Sequence, residues 1–556
     1  MRAAAAVARS NTDAAGPAVL SVLPGLDSDA DVLRSLPDTV LDAGDLADTV
    51  LERLDRLAGD RGLAAAFYRD GKIDLAAVER IEGIAQLAGS FIESAHARLD
   101  RLEDPRFPPL KKAFGRLQRS LAKGAATLDK AETLLDALGG IVGAGERKAY
   151  LLLFQSPSEA RGSGGIIGVY GILEADEGAL DLKHVGALFE IGRKVDRPVD
   201  APQWFEDLYG NLGALDEPRH SNLAFHFPTV ARVLLDYYRQ AMGRELDGVM
   251  TLDPIVLEQM TFGTPPLAGP GWEVKIDHKN ARRALLHNVY LRFGRFQSKA
   301  QNRFLTGVMT DLLDHLDSGR ARLLTIAEGL SKAAKWQHLK FFATDPALGE
   351  ALKRLEIDGD FSTGGPNVQG VFHNNFTGSK VDYFLQRSQD IAVEIGTDGD
   401  ARVKTTVTLQ NEAPTSPSSL LIRPLLRKVP NGTNRMALSF LLPKGAAEVD
   451  FSIAGRSQAP FRGNEAGYPV VWNVVEIPPG SSTEVTVAYT LRGAADGGEF
   501  ETMLWPQALV RPDRFRFTLR VPDTSGLEVT PARRLVGGAY ILSGRLFGPK
   551  RIAARF

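Results

Sequence analysis

A chain of 556 residues is too long for one hydrophobic core and reads as several domains. Lys plus Arg, at 66, nearly balances Asp plus Glu, at 68, so no overall basic field draws nucleic acid to it. There is no cysteine, which excludes thiol catalysis, thiolate metal sites and disulfides.

Residues 1–26, rich in Ala, Gly, Ser and Pro, read as a flexible lead-in. No apolar run in the chain reaches the ~20 residues that a bilayer-spanning helix needs. Residues 27–145 carry helical periodicity: Ile81, Ile84, Leu87, Phe91, Ala95 and Leu99 recur at three- and four-residue steps, as do Leu110, Phe114, Leu117 and Leu121. The prolines of Asp104 to Pro109 should end one helix and begin the next, giving a helical hairpin or stalk.

An α/β domain is expected over residues 146–388. It opens with Tyr150 to Phe154, a wholly apolar run suited to a strand covered on both faces. A polar loop from Ser156 to Gly165 should follow, then a second strand from Ile167 to Leu173. Leu180 to Val185 reads as the hairpin partner of that strand, and Phe227-Pro228 opens a helix. Leu246 to Leu252 is a strand running into a helix start at Asp253-Pro254, and residues 281–343 read as helix. Val371 to Asn375 and Val381 to Arg387 read as strands flanking a turn. From residue 389 to 556 the pattern is all-β, with Thr397-Asp398-Gly399-Asp400 marking a hairpin, and one or two immunoglobulin-like β-sandwich modules are expected. The fold class is therefore a multidomain α+β chain: helical stalk, central α/β domain, β-sandwich region.

No HExxH, GxSxG or Walker sequence occurs, and the histidines show no metal-ligand spacing. What remains is a scatter of polar residues near strand ends, among them Glu159, Arg161, Asn222, His226, Gln297, Asn375 and Asp382. Arg161 stands in a glycine-containing stretch where the backbone can approach a ligand, and a guanidinium suits a pyrophosphate. Its plainer use is to pair with Glu159. If Arg161, Lys380 and Arg387 converge they bind a diphosphate, and Asp247 or Asp253 holds a divalent cation or takes a proton from an attacking hydroxyl. The structural alternatives are a helix cap for Asp253 and a turn for Asn374-Asn375.

Tyr150 to Gln155, Glu159 to Arg161 and Gly164 to Gly168 together resemble the signature of a bacterial envelope family, domain of unknown function 4012, itself distantly similar to the LytR-CpsA-Psr phosphotransferases. Phe227-Pro228, Leu246 to Pro254, Gln301 to Arg303 and Asn374 to Arg387 resemble the same family in order. The likeness runs from about residue 149 to the C-terminus. It implies an extracytoplasmic, envelope-associated protein, held at the membrane by an anchor outside this chain. Its partners would be envelope proteins and a polyprenyl-pyrophosphate-linked glycan or cell-wall polymer. The chain would bind that glycan, or transfer it to a cell-wall acceptor as a phosphotransferase. In those phosphotransferases arginines meet the pyrophosphate and aspartates hold Mg²⁺; carried over, Arg161 has a clear counterpart, and Asp247 and Arg303 have weaker ones. Joined to the reading of the residues themselves, this makes Asp247 and Asp253 the candidate catalytic residues, Asp247 the candidate Mg²⁺ ligand, and Arg161, Arg303, Asn374, Lys380 and Arg387 the candidate pyrophosphate-binding set. Two departures weigh against catalysis. No Arg-Ser-Asp-type motif follows Arg161, and His226 precedes Phe227-Pro228 where an acid is expected. The alternative is a non-catalytic envelope scaffold or glycan- and protein-interaction protein.

Overall fold

The computed structural model describes residues 27–59, 66–69, 71–195, 197–294, 299–415, 420–524, 526–531 and 535–556. The lead-in at 1–26 and Gln297 lie outside them. The described chain divides into two compact units, one running to Arg147 and including Ala175–Leu180, the other Lys148–Glu174 with Asp181–Phe556. Among the described residues, no helix is long and apolar enough to cross a membrane.

The first unit is helical. Helices α1 (Asp27–Ala58), α2 (Leu75–Leu99) and α3 (Pro108–Ile141) pack through Val32, Ala95, Leu99, Leu110, Phe114 and Leu121. Asp74 caps α2 by accepting from Ala77 N, and Pro108 opens α3 where its missing N–H costs nothing.

The second unit holds most of a sheet made from β1 (Lys148–Arg161), β2 (Gly164–Asp176), β3 (Ala179–Ala187), β4 (Gly248–Leu252) and β5 (Lys340–Ala343), in the order β3-β2-β1-β4-β5; the end of β2 and the start of β3 fall within Ala175–Leu180 of the first unit. β1 and β4 are parallel, with Tyr150 opposite Gly248 and Phe154 opposite Leu252, and β5 runs antiparallel to β4. Helix α4 (Phe227–Met242) covers the sheet, burying Val230, Val233, Leu234 and Tyr237 against Leu151, Leu153 and Val249. Two expectations change here. The polar stretch from Ser156 is strand, not loop: β1 continues to Arg161 and only Gly162 and Ser163 turn into β2. Its polar side chains are buried against later parts of the chain, so no local apolar pattern announces them. The helix read through residue 343 gives way to β5, because the run Phe341-Phe342-Ala343 completes the sheet edge beside β4.

The C-terminal part forms two sheets. One pairs, in order, Phe461–Glu465, Tyr468–Ile477, Asn434–Leu441, Val368–Asn375, Glu499–Trp505, Lys550–Arg555 and Glu528–Thr530. The other contains Ala447–Ile453, Ser482–Leu491, Ala401–Asn411, Leu385–Ile395, Arg514–Arg520 and Ala539–Arg545 in that order. They face each other across one core that includes Val371, Leu438, Phe440 and Val475 from the first sheet and Ile391, Val403, Val485 and Phe517 from the second. Strand Val368–Asn375 is buried along its whole length. Val371 points into the core between the sheets, while Phe372 points the other way and stacks on Phe225 at 4.1 Å between ring centroids. A strand covered on both faces thus joins the sheet pair to the segment that enters α4. The division read at residue 388 falls after this strand has already entered the C-terminal sheets.

Candidate functional site

Arg161, Asn374, Lys380 and Arg387 come together with Glu159, His373, Asn375, Asp382, Gln507 and Asp513 in one buried polar network. It lies where the end of β1 meets strand Val368–Asn375. Arg161 and Arg387 are 5 % exposed and Lys380 is 7 % exposed. Glu159 holds two of the cations, with Oε1 3.1 Å from Arg161 Nη2 and Oε2 3.1 Å from Lys380 Nζ. Burial alone would raise the Glu159 pKa, but Lys380 and Arg161 outweigh it and hold the carboxyl below its ordinary value. Arg161 also donates through Nη1 to the carbonyls of Ala160 and Asn375, at 3.0 and 3.1 Å.

Asp382 sits under the β1 backbone. Its Oδ2 accepts from Ala160 N at 2.8 Å and Asn375 Nδ2 at 2.7 Å, and its Oδ1 accepts from Asn434 Nδ2 at 2.8 Å. Burial raises its pKa; His373, the Asn375 amide and the Ala160 N–H reverse this and leave it lowered. Asn374 Oδ1 accepts from Gly162 N at 2.8 Å while its Nδ2 donates to Leu223 O at 3.0 Å. Asn374 is therefore a clamp between two backbone segments.

Arg387 is the most fully engaged member. Nε donates to Asp513 Oδ1 at 2.9 Å, and Nη2 donates to Asp513 Oδ2 at 2.6 Å and Val371 O at 3.0 Å. Nη1 donates to Gln507 Oε1 at 3.0 Å and to His373 Nδ1 at 2.8 Å. A guanidinium has five N–H donors and can only donate, so all five are taken by the protein. The same rule makes His373 Nδ1 an acceptor, which places the ring proton on Nε2, 3.4 Å from Asp382 Oδ1. Three cations (Arg161, Lys380, Arg387) face three carboxylates (Glu159, Asp382, Asp513), so the network carries its own neutralising charge.

The glycines around Arg161 serve packing. A Cβ on Gly162 would lie 2.2 Å from Leu223 O, and one on Gly165 would lie 2.1 Å from the Ser156 carbonyl carbon. These are contacts of backbone with backbone, and the chain itself fills the space that a ligand would need. Gly165→Ala should accordingly destabilise the protein by about 1–3 kcal/mol through overpacking, read from its urea midpoint. An unchanged midpoint would mean that the hairpin yields.

The remaining candidates stand elsewhere. Asp247 and Asp253 flank β4 at its two ends, roughly 20 Å apart at the rise of an extended strand, so they cannot act on one reacting atom. Asp247 Oδ2 accepts from Ala149 N at 2.7 Å, and Lys148 Nζ stands 3.7 Å from its Oδ1. Asp253 caps the helix Pro254–Met260, accepting from Ile255 N at 2.8 Å and Val256 N at 3.2 Å, and its Oδ2 meets His338 Nδ1 at 2.5 Å. Among the described residues, no group of three or more His, Asp or Glu side chains is placed to hold a metal ion. The surroundings of Asp247 do not fit the Mg²⁺ ligand that the resemblance implies. Arg303 is exposed on the helix Lys299–Asp317, where it lines a groove of about 650 Å³ with Asn302, Thr306 and Asp314. That groove shares no residue with the buried network.

Sequence reading missed Asp513 and Gln507, which accept from Arg387, and Asn434, which donates to Asp382. It also missed Glu465, whose burial pushes its carboxyl up to about 7. Glu465 accepts from Tyr209 Oη at 2.5 Å, Phe225 N at 2.6 Å and His226 N at 2.8 Å, tying the C-terminal sheet to the start of α4. His226 in turn meets Asp360, with Nε2 3.2 Å from Oδ1. Burial would raise the Asp360 pKa, but His226 and Ser362 bring it down to about 2. Each of these groups is an isolated polar residue in sequence, with no spacing to flag it.

The geometry defines a mixed α/β chain in which Arg161, Lys380 and Arg387 lie inside rather than in a surface cleft. Residues 145–290 match the model of a family described as protein of unknown function (DUF4012), which supports the resemblance to that family over this segment. No curated protein matches the chain. Among solved structures it is similar to a protein from Legionella pneumophila described as nutrient binding, at 14 % identity over 34 % of this chain and 71 % of that one, with a TM-score of 0.21. An M1 zinc metallopeptidase from Deinococcus radiodurans is 13 % identical over 31 % of this chain and 42 % of that one, with a TM-score of 0.19. Leukotriene A4 hydrolase from Saccharomyces cerevisiae is 12 % identical over 31 % and 29 %, with a TM-score of 0.18. The chain spans less than half of either hydrolase, and at these scores none of the three bears on what it does.

Proposed function

We propose that this chain is a non-catalytic cell-envelope scaffold that works by binding other envelope components. The observation that carries this reading is Arg387, whose five N–H donors are all occupied by Asp513, Gln507, His373 and Val371. A residue meant to neutralise a leaving pyrophosphate needs donors free to meet it. Lys380 supports the same reading through its partner Glu159, which also holds Arg161 Nη2, while Arg161 Nε is buried without an acceptor among the described residues. In this proposal the charged network fastens a LytR-CpsA-Psr-like α/β body to an immunoglobulin-like pair of sheets, and the outer surfaces do the binding. Extracytoplasmic placement and an anchor outside this chain rest on the family resemblance and belong to the proposal.

Calorimetry with a short-chain polyprenyl pyrophosphate, with and without Mg²⁺, tests it. The expected result is no binding heat in either condition, with Arg161→Ala lowering the unfolding midpoint and leaving the titration unchanged. Binding that Arg161→Ala abolishes in a protein that is still folded would return the carrier-binding reading to first place.

A further inference from the structure

We propose that the outer edge of β3 pairs antiparallel with the same strand of a second copy of this chain, about a two-fold axis at Leu182. Among the described residues, the strand pairing on the outer side of β3 is Lys72 opposite Ala179, both in the first unit, and Asp181 to Val185 have no strand paired on that side. Asp181 to Val185 are five consecutive exposed residues, with Leu182 40 % exposed; Val185 lines the groove beside the helix Lys299–Asp317, so the edge open to a partner runs from Leu180 to His184. An uncovered edge with apolar side chains is a template for another strand. Edges of this kind are commonly blunted by an unpaired lysine. Here Lys183 has Asp181 beside it on the same face, so the blunting charge is already neutralised.

The charges select both the occupant and the register. With the axis at Leu182, Asp181 of each copy lies opposite Lys183 of the other, and Leu182 lies opposite itself. Moving the axis one residue on sets Lys183 against Lys183; moving it one residue back sets Asp181 against Asp181. Directly opposed like charges destabilise a strand pair and opposed unlike charges stabilise it, so of these three registers the middle one is favoured. The arrangement is an isologous contact that closes as a dimer and does not propagate into a fibre.

Sedimentation velocity of the full chain across a wide concentration range tests this with three variants: Asp181→Lys, Lys183→Asp, and the two together. Each single change turns both cross-strand pairs into like-charge pairs and should weaken dimerisation by roughly tenfold. The double change restores unlike pairs in the same register and should bring the dimer back towards the starting affinity. All four positions of charge are exposed, so circular dichroism should show an unaltered fold. A chain that stays monomeric throughout overturns the proposal, as does a dimer indifferent to the single changes or one that the double change weakens further.

Discussion

Arg387→Met should lower the unfolding free energy by about 3–5 kcal/mol, because it leaves the Asp513 carboxylate buried without its counter-charge. Asp513 is 3 % exposed and meets Arg387 through two hydrogen bonds, so water cannot take the place of the guanidinium without opening the structure. The effect should exceed that of a lost contact, since His373 Nδ1, Gln507 Oε1 and Val371 O lose a donor at the same moment. Adding Asp513→Leu removes the stranded charge and should recover much of the loss, although Gln389 Nε2 then lacks its acceptor at Asp513 Oδ2. Urea unfolding of the two single variants and the double variant measures this. A cost below about 1 kcal/mol for Arg387→Met would place the pair in the range of solvent-exposed ion pairs and remove the main support for a structural network.

Glu465 gives the second large effect, and it depends on pH. Its folded pKa of about 7 lies above the ordinary glutamate value of 4.5, so between these values the folded state binds the proton more tightly than the unfolded chain does. Its contribution therefore favours folding at low pH, falls as pH rises from 4.5 through 7, and levels off above that. The full swing is at most about 3 kcal/mol. Glu465→Gln keeps an oxygen for Phe225 N and His226 N and offers Tyr209 Oη a donor, but it cannot ionise. The stability difference, native minus variant, should decline across this pH window. A flat difference would show that the three donors facing the carboxylate hold it ionised despite its burial. Asp358, which burial pushes up to about 6, acts with the same sign and should nearly cancel in the difference.

Helical periodicity in residues 75–141, the apolar run of β1 and the hairpin around Asp398 are local properties, so the sequence alone determined these elements and the general α-then-β order of the chain. It also determined which residues carry charge: Arg161, Lys380 and Arg387 stand out because arginine and lysine are rarely buried without partners. Only the tertiary structure decided what those charges do. Glu159 and Lys380 are bonded across 221 residues, and Arg387 and Asp513 across 126. No periodicity spans such distances, and a cation aimed at a ligand looks the same in sequence as one aimed at a distant carboxylate. The Asp253-Pro254 cap was legible because a cap is made within a few residues. The placement of Asp247 and Asp253 at opposite ends of β4 follows directly from strand geometry once that strand is established. The convergence of Arg161 with Arg387 required the fold, because it depends on strand Val368–Asn375 leaving the α/β region to pair with strands more than sixty residues further along.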